Sequence, residues 1–598
     1  LTDSEYTGSN VVDNATVETQ AETLRSPADF VKSWLKSIEL AQADQKDWRK
    51  HAQEASDIYK LNGNQRENEF NILYSNISTV CPSVYNSLPV PDVRRRYNDG
   101  DNPTAKTAAQ VIERGISFSL DDNYFDQSIK SDVLDMNLVG RGVSRLQYEP
   151  TITQVPVQDM LGQPMIGMDG QPMTEPVITA QVMRVQHVDW RDFVHGSAKC
   201  WDDVPWVAYR HRMTKDQLRA IAPEIADKVQ MDCTVDGKEK AKDEESSSIY
   251  KRAFVWEIWD KDTKKVIFIA PSYKDEPLSV REAPFNVRGY FPSPNPLYAV
   301  ATGDLMPKVP YDYYRKQAEE LNRMTGRLRS LLKVLKFRGV YLTGLGTALS
   351  DIQNADDGEF KPTDNANNLM GTTGGLDKAI WMMPIDKLIV VIRELSDQRE
   401  KVKQTIYEVT GIADIMRGST NAGETLGAQQ IKAQWGAMRL QAAQREVQRY
   451  IRDLMRMMAE VMSENYQPDV LAGIAGFEIT PDVMALLRDD VNRNYRIDIE
   501  TDSTIKADVV RDQQNMTQFV GGLAQFLPAI VPLVQQGAIP PELPIAMIKS
   551  FSRIFKLGRE VEDMLDRLGQ QAAQPMQQMM PQQGNVVPMM PPQMGGAM

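Results

Sequence analysis

Residues Ile385–Tyr466, IDKLIVVIRELSDQREKVKQTIYEVT GIADIMRGSTNAG ETLGAQQIKAQWGAMRLQAAQREVQRYIRDLMRMMAEVMSENY, read as a helix, a short break and a longer helix. In the first helix Leu388, Ile392, Leu395, Val402, Ile406 and Val409 recur at steps of four and three, with Arg399 as the interruption, so one narrow apolar seam runs down it. A seam of that kind needs a partner. The break Gly411–Gly423 holds three glycines and several short polar side chains, which favour a loop over regular structure. Beyond it Ile431, Trp435, Met438, Ala442, Val447, Ile451, Leu454, Met458 and Val461 keep helical spacing through a long helix in which Gly436 is the weakest point.

Working outward, the spacing predicts a partner for the seam over Tyr311–Lys336, where Tyr314, Ala318, Leu321, Leu328, Leu331 and Leu335 line one face after Pro310. Two helices of about 35–40 Å suit a pair of struts side by side. Between them residues 337–384 carry two strand-like runs, Gly339–Leu342 and Ala379–Met383, separated by a loop rich in Asn, Asp and Gly. Gly140–Tyr290 is a β-rich block with strands expected over Gly142–Tyr148, Thr174–His187, Val204–Arg210, Ala253–Trp259, Lys265–Ala270 and Phe285–Tyr290. The repeated Gly-Gln-Pro-Met at Gly162 and Gly170 marks a hairpin tip, and Asp236–Ser248 reads as a solvated loop. Ahead of this block Ser26-Pro27 caps a helix that continues with interruptions to Gly63, and further helices are expected over Glu67–Ser87 and Pro103–Asp121. Arg94-Arg95-Arg96 reads as an exposed turn pairing with acidic neighbours in preference to a DNA contact. After the long helix a strand over Tyr495–Glu500 precedes helices at Ala507–Phe526 and Pro541–Leu568.

The helix, the T-G-I-A-D-I-M-R-G-S-T-N-A-G-E-T-L-G-A loop and the long helix together resemble the portal proteins, or head-to-tail connectors, of tailed double-stranded DNA bacteriophages. The segments Asp189–His195 and Asp202–Leu218 are similar to podophage-type portals. The resemblance implies an α+β, mostly helical protomer with wing, stem, clip and crown that assembles into a dodecameric ring. On this reading residues 1–26 are a mobile arm, 27–310 the wing, 311–336 and 385–410 the stem helices, 337–384 the clip and 411–424 the tunnel loop. A long wing helix over 425–466, wing strands and a linker over 467–506, crown helices over 507–568 and a disordered Gln/Met/Pro-rich tail over 569–598 complete the order. It implies a virion protein at one capsid vertex, made in the host cytoplasm. Its partners are the terminase large subunit, a tail adaptor or head-completion protein, the major capsid and scaffolding proteins, and the DNA passing through. Arg417, Gly418, Ser419, Thr420 and Asn421 then face the channel, and Tyr341, Trp381 and Met382 form the clip docking surface.

Composition fits passage of DNA better than a tight grip on it: 598 residues carry a formal net charge of -13, and phosphate binding is built from excess Lys and Arg. Arg315, Lys316, Arg323, Arg327, Arg329, Lys333, Lys336 and Arg338 nevertheless outnumber the acids of their helix, which suits ion pairs between neighbouring copies or contact with phosphates. Three cysteines, Cys81, Cys200 and Cys233, have no paired spacing and predict no disulfide. The opening residues lack the basic-then-apolar pattern of a secretion signal. Val520–Ile539 is uncharged but holds Pro528, Pro532, Gly521 and Gly522, which suits a buried helical pair better than a membrane span. Gly371–Lys378 lacks the second glycine and the Lys-Ser/Thr pair of a phosphate loop, and His187, Asp189, His195 and Cys200 match no zinc spacing. No cofactor and no catalytic grouping is expected. The rivals to a portal subunit are a smaller tail-side adaptor ring and an enzyme with an unfamiliar site.

Overall fold

The structure is a computed structural model that describes residues 26–62, 70–95, 103–122, 124–156, 173–234, 251–300, 303–334, 339–341, 380–382, 385–412, 426–489, 491, 497–500, 517 and 521. Of residues 94–95, 122, 334, 339–341, 380–382, 385, 426–439 and 497–500 the backbone alone is described. The chain divides into two compact units, Leu1–Ile505 and Lys506–Met598, and the elements below belong to the first. The arm, the hairpin tip at 157–172, most of the clip, residues 413–425, the crown helices apart from helical positions at Thr517 and Gly521, and the tail lie outside the described residues.

The fold is mixed α+β. Ser26 accepts from the Asp29 amide and Pro27 opens α1 (Pro27–Asp44), which breaks at Gln45 before α2 (Lys46–Lys60). Helix α3 (Ile72–Val84), strand β1 (Asp92–Arg95), α4 (Pro103–Asp122) and α5 (Phe125–Val139) follow. Strand β1 pairs antiparallel with the late strand β14 (Ile497–Glu500), which sets Arg94 opposite Asp498. Short β2 (Arg141–Gly142) leads into β3 (Ser144–Pro156), whose long antiparallel ladder with β4 (Thr174–His187) is buried at its base and exposed beyond it.

A six-stranded antiparallel sheet holds the rest of the β-rich block. Its path is β10 (Ser279–Glu282), β9 (Lys265–Ile269), β8 (Lys251–Asp260), β6 (Trp206–Met213) and β5 (Phe193–His195), with β7 (Cys233–Thr234) paired to β8 and short α6 (Lys215–Ile221) following β6. Alternation along the strands divides its side chains between two cores. Ala208, Trp256, Ile258, Ile267 and Ile269 pack under Val31 and Ile38 of α1, while Val207, Tyr209, Val255, Val266 and Phe268 join the main core. The strand expected over Phe285–Tyr290 is a turn. Gly289 and Tyr290 take φ of 93° and 75°, outside the extended range, and the turn brings the rings of Phe285 and Tyr290 to 5.6 and 5.7 Å from Trp259.

Strand β11 (Leu297–Tyr298) pairs with β2, and the chain then enters the struts: α7 (Arg315–Val334), β12 (Gly339–Tyr341), β13 (Ile380–Met382) and α8 (Ile385–Thr410). The long helix α9 (Leu426–Asn465) continues unbroken through Gly436, and α10 (Pro468–Ala475) and α11 (Pro481–Arg488) pack on α4. In α9 Val447, Tyr450, Ile451, Leu454 and Val461 are fully enclosed, so its second half is the spine of the main core. Its end is tied down by buried Gln181, which donates to the Asn465 carbonyl at 2.8 Å and accepts from the Gln467 amide at 2.7 Å.

One buried carboxylate joins α9 to the β-ladder. Asp132 of α5 accepts from Ser144 Oγ at 2.5 Å and Tyr450 Oη at 3.0 Å on one oxygen, and from His187 Nδ1 at 2.6 Å on the other. Tyr450 Oη in turn accepts from the Ser144 amide at 2.5 Å. Two glycines let the backbones close around this point, since a Cβ on Gly142 would strike the Asp132 carbonyl and one on Gly140, at φ 95°, the carbonyl of Lys308. His187 Nε2 also lies 3.4 Å from Asp135. Burial alone would lower the His187 pKa, but the hydrogen bond to Asp132 and the charges of Asp132, Asp135 and Asp189 hold it above its ordinary value. Burial raises Asp135 to about 7 against the pull of His187. Both groups therefore bind more protons folded than unfolded near neutrality, so stability falls as pH rises through them.

Two outcomes are expected. Tyr450→Phe orphans the Ser144 amide and removes a donor from Asp132, costing about 1–3 kcal/mol in chemical denaturation. The stability that the raised Asp135 carboxyl contributes is lost as pH rises from about 5 to about 7, so the Tm relative to that of Asp135→Asn falls across this range; a relative Tm that rises contradicts the arrangement.

Candidate assembly and channel elements

The struts form an antiparallel pair with an anchored base. Tyr314, just before α7, Ala318 and Leu321 of α7 and Ile406 and Tyr407 of α8 are buried with Trp48, Ala52, Ile72, Leu73 and Trp190 in a second core. Trp48 fixes this core to α5 by donating Nε1–H to the Val139 carbonyl at 2.7 Å. Arg315 ties the start of α7 to Glu54 of α2 at 2.7 Å. Arg399, which interrupts the apolar seam, donates Nε–H to Thr325 Oγ1 at 3.0 Å across the pair and stacks 4.9 Å from the Phe70 ring. The interruption is thus a polar cross-link where the pair leaves the body.

Away from the base, burial fades. Leu328, Leu331, Leu388, Ile392 and Leu395 are only half-buried by the partner helix. Outside the seam Leu332 is 57% exposed, Val390 67%, and Ile389 and Val391 43% each. These four are the residues the seam missed. Five consecutive apolar residues, Leu388–Ile392, wrap the whole circumference of a helix, so one neighbour cannot cover them all. Lys316, Arg323, Arg327 and Lys333 of α7 are exposed and form no ion pair among the described residues. Lys316, Arg323 and Arg327 recur at helical spacing on one side.

The far ends of the struts are joined by β12 and β13, whose antiparallel register sets Tyr341 opposite Ile380, Val340 opposite Trp381 and Gly339 opposite Met382. The proposed docking residues Tyr341, Trp381 and Met382 therefore share one two-stranded ribbon. At the other end α8 stops at Gly411, φ 72°, and buried Ile412. A cavity of about 290 Å³ lies there, lined in part by Val80, Pro310, Tyr313, Val409 and Thr410. The channel-facing candidates Arg417, Gly418, Ser419, Thr420 and Asn421 fall in 413–425, outside the described residues, between this point and the start of α9.

The four residues with metal-binding side chains are engaged separately. His187 bridges Asp132 and Asp135, Asp189 faces Arg191 at 3.8 Å, His195 Nδ1 lies 2.9 Å from the Gly196 carbonyl, and Cys200 Sγ lies 2.8 Å from Asp203. Among the described residues no helix is long and apolar enough to cross a membrane.

An exposed apolar patch beside a half-buried seam is a candidate contact surface. Val390→Glu should leave the Tm nearly unchanged, because Val390 contributes little to the protomer's own core. The same change should shift the mass in light scattering from assembled to monomeric, and an unaltered mass would remove the patch from any interface. No family model matches the chain, and no curated protein matches its sequence.

Proposed function

We propose that the chain is the portal subunit of a tailed double-stranded DNA phage, a structural protein that forms a ring at one capsid vertex and passes DNA through its centre. The observation that carries this reading is the run from α7 to α9. Two antiparallel struts are closed at one end by a two-stranded ribbon, and the second strut ends in a Gly-rich break that opens into a 40-residue helix. A ring needs a repeated element with an anchored base and uncovered sides. The struts supply it: their base is buried, while Leu332 and Ile389–Val391 await a neighbouring copy.

In that ring the struts are the stem and the ribbon carrying Tyr341, Trp381 and Met382 is the clip, docking first the terminase large subunit and then the tail adaptor. The helical and β-rich body is the wing, which meets the capsid and scaffolding proteins. Energy comes from the terminase ATPase. The acidity of the chain suits a wall along which phosphates slide. Arg417, Ser419, Thr420 and Asn421 give one layer of weak, sequence-independent phosphate contacts, repeated once per subunit.

Replacing Arg417 and Asn421 with Ala should leave rings intact and alter DNA packaging or cause leakage from filled heads. The checks are ring mass by light scattering and the DNA content of heads by nuclease protection. Normal packaging and retention would take this loop out of the DNA path, and failed assembly would give it a structural role instead.

A further inference from the structure

Four guanidinium groups follow one another along three consecutive residues, 191–193. Arg141 and Arg49 both donate to the Phe193 carbonyl, at 3.4 and 3.0 Å. Arg49 and Arg210 both donate to the Arg191 carbonyl, at 3.1 and 3.5 Å. Arg210 and Arg212 then share the Asp192 carboxylate, each at 2.8 Å. Aromatic faces support the ladder: Arg141 lies 4.6 Å over Trp48, Arg210 4.9 Å over Phe254, and Arg191, beside them, 4.9 Å over Trp190.

The ladder has more donors and more positive charge than its surroundings satisfy. Arg49, Arg191, Arg210 and Arg212 meet two carboxylates, Asp189 and Asp192, and the charge of Asp135 acts on Arg141. Behind the rim Arg141 is fully buried, with Nε and Nη1 lacking an acceptor among the described residues, as do the Nε atoms of Arg49, Arg191 and Arg212. Burial and the neighbouring charges of Arg141 and Arg210 lower Arg49 to about 9, which leaves it protonated at neutral pH. Clustered like charges in a poorly solvated place are costly without a counter-charge. The rim stays partly open to solvent, with the side chain of Arg191 37% exposed and that of Arg212 29%.

We propose that this arginine ladder is the docking site of a carboxylate-rich peptide, the chain's own segment 1–24. That segment carries Asp3, Glu5, Asp13, Glu18 and Glu22 and no Lys or Arg. It enters α1 at Ser26, and α1 packs on the sheet face that also holds Arg210 and Arg212, since both alternate in step with Ala208. The last turn of α1 leads to Gln45, whose Oε1 accepts from Arg49 at 3.3 Å, so the helix ends beside the ladder. An 18-residue helix is about 27 Å long and 24 extended residues span up to about 80 Å, so the segment can double back along α1. A peptide fits better than a free anion. The ladder already grips two peptide carbonyls, those of Arg191 and Phe193, and the flat carboxylate of Asp192 between them is held by two guanidiniums.

The test uses a fluorescein-labelled peptide of residues 1–24, read by anisotropy against the full chain and against a chain beginning at Arg25. The shortened chain should bind the peptide in a salt-sensitive manner, and the full chain at least about tenfold more weakly, because its own segment competes. Arg49→Gln and, at the rim, Arg191→Gln in the shortened chain should each weaken binding at least about tenfold, with melting curves confirming that they fold. A peptide with all five acids changed to amides should not bind. Equal binding by the two chains, equal binding of the amide peptide, or indifference to both substitutions would overturn the proposal. So would displacement of the peptide by duplex DNA at matched charge, which would make the ladder a nucleic-acid surface.

Discussion

The carboxylate of Asp132 is the constraint on which the body of the protein depends. It has no exposure to solvent, and it takes donors from a strand, a neighbouring strand and the long helix at once. Removing a carboxylate from water is expensive, and only a complete set of donors offsets that cost. The arrangement therefore accepts few alternatives: α5, the base of the β3–β4 ladder and α9 must meet at this spot, and two glycines are needed so that the backbones can approach. A second ionic cluster repeats the logic in the sheet. Glu257 accepts from Arg145 at 2.6 Å, from His211 at 2.8 Å and from Trp259 at 2.8 Å, and although burial opposes its charge, Arg145 and His211 hold its pKa far below the usual range.

A rigid body of this kind gives the struts their meaning. Their lower halves are clamped in an aromatic core around Trp48, Trp190, Tyr311 and Tyr314, while their upper halves rely on one another. A helical pair that is half-buried by its partner and apolar on further sides leaves apolar surface uncovered in the single chain. The inferred ring makes that incompleteness useful, because neighbouring copies can cover the outward apolar residues while the clamped base fixes the angle at which each strut stands. The inferred docking of segment 1–24 concerns a surface next to that aromatic core, where Arg141 and Arg191 lie over Trp48 and Trp190.

Periodicity in the sequence located the elements well wherever an apolar stripe had a single destination. The seam on α8, the stripe on the second half of α9, the Ser-Pro cap of α1 and most strands of the β-rich block are where spacing and turn chemistry place them. It misled at Phe285–Tyr290, where alternation suggested a strand and two left-handed residues made a turn. The Asp132 hub was illegible because its members stand 12, 55 and 318 positions away from it, and no local pattern announces a contact at that range. The arginine ladder was hidden in the same way. The outward apolar patch, by contrast, was written in the run Leu388–Ile392, whose five consecutive apolar residues exceed what one seam can hide. Of the candidate site itself, the two strand-like runs that carry Tyr341, Trp381 and Met382 do pair with one another, and the loop carrying Arg417 and Asn421 lies outside the described residues.

Negative-stain electron microscopy of the purified full-length chain tests the central claim most directly. The account predicts closed rings of uniform diameter, near twelvefold, each with a stain-filled central channel wide enough for duplex DNA. Dispersed monomers at assembly concentrations, or oligomers without a central channel, would contradict it.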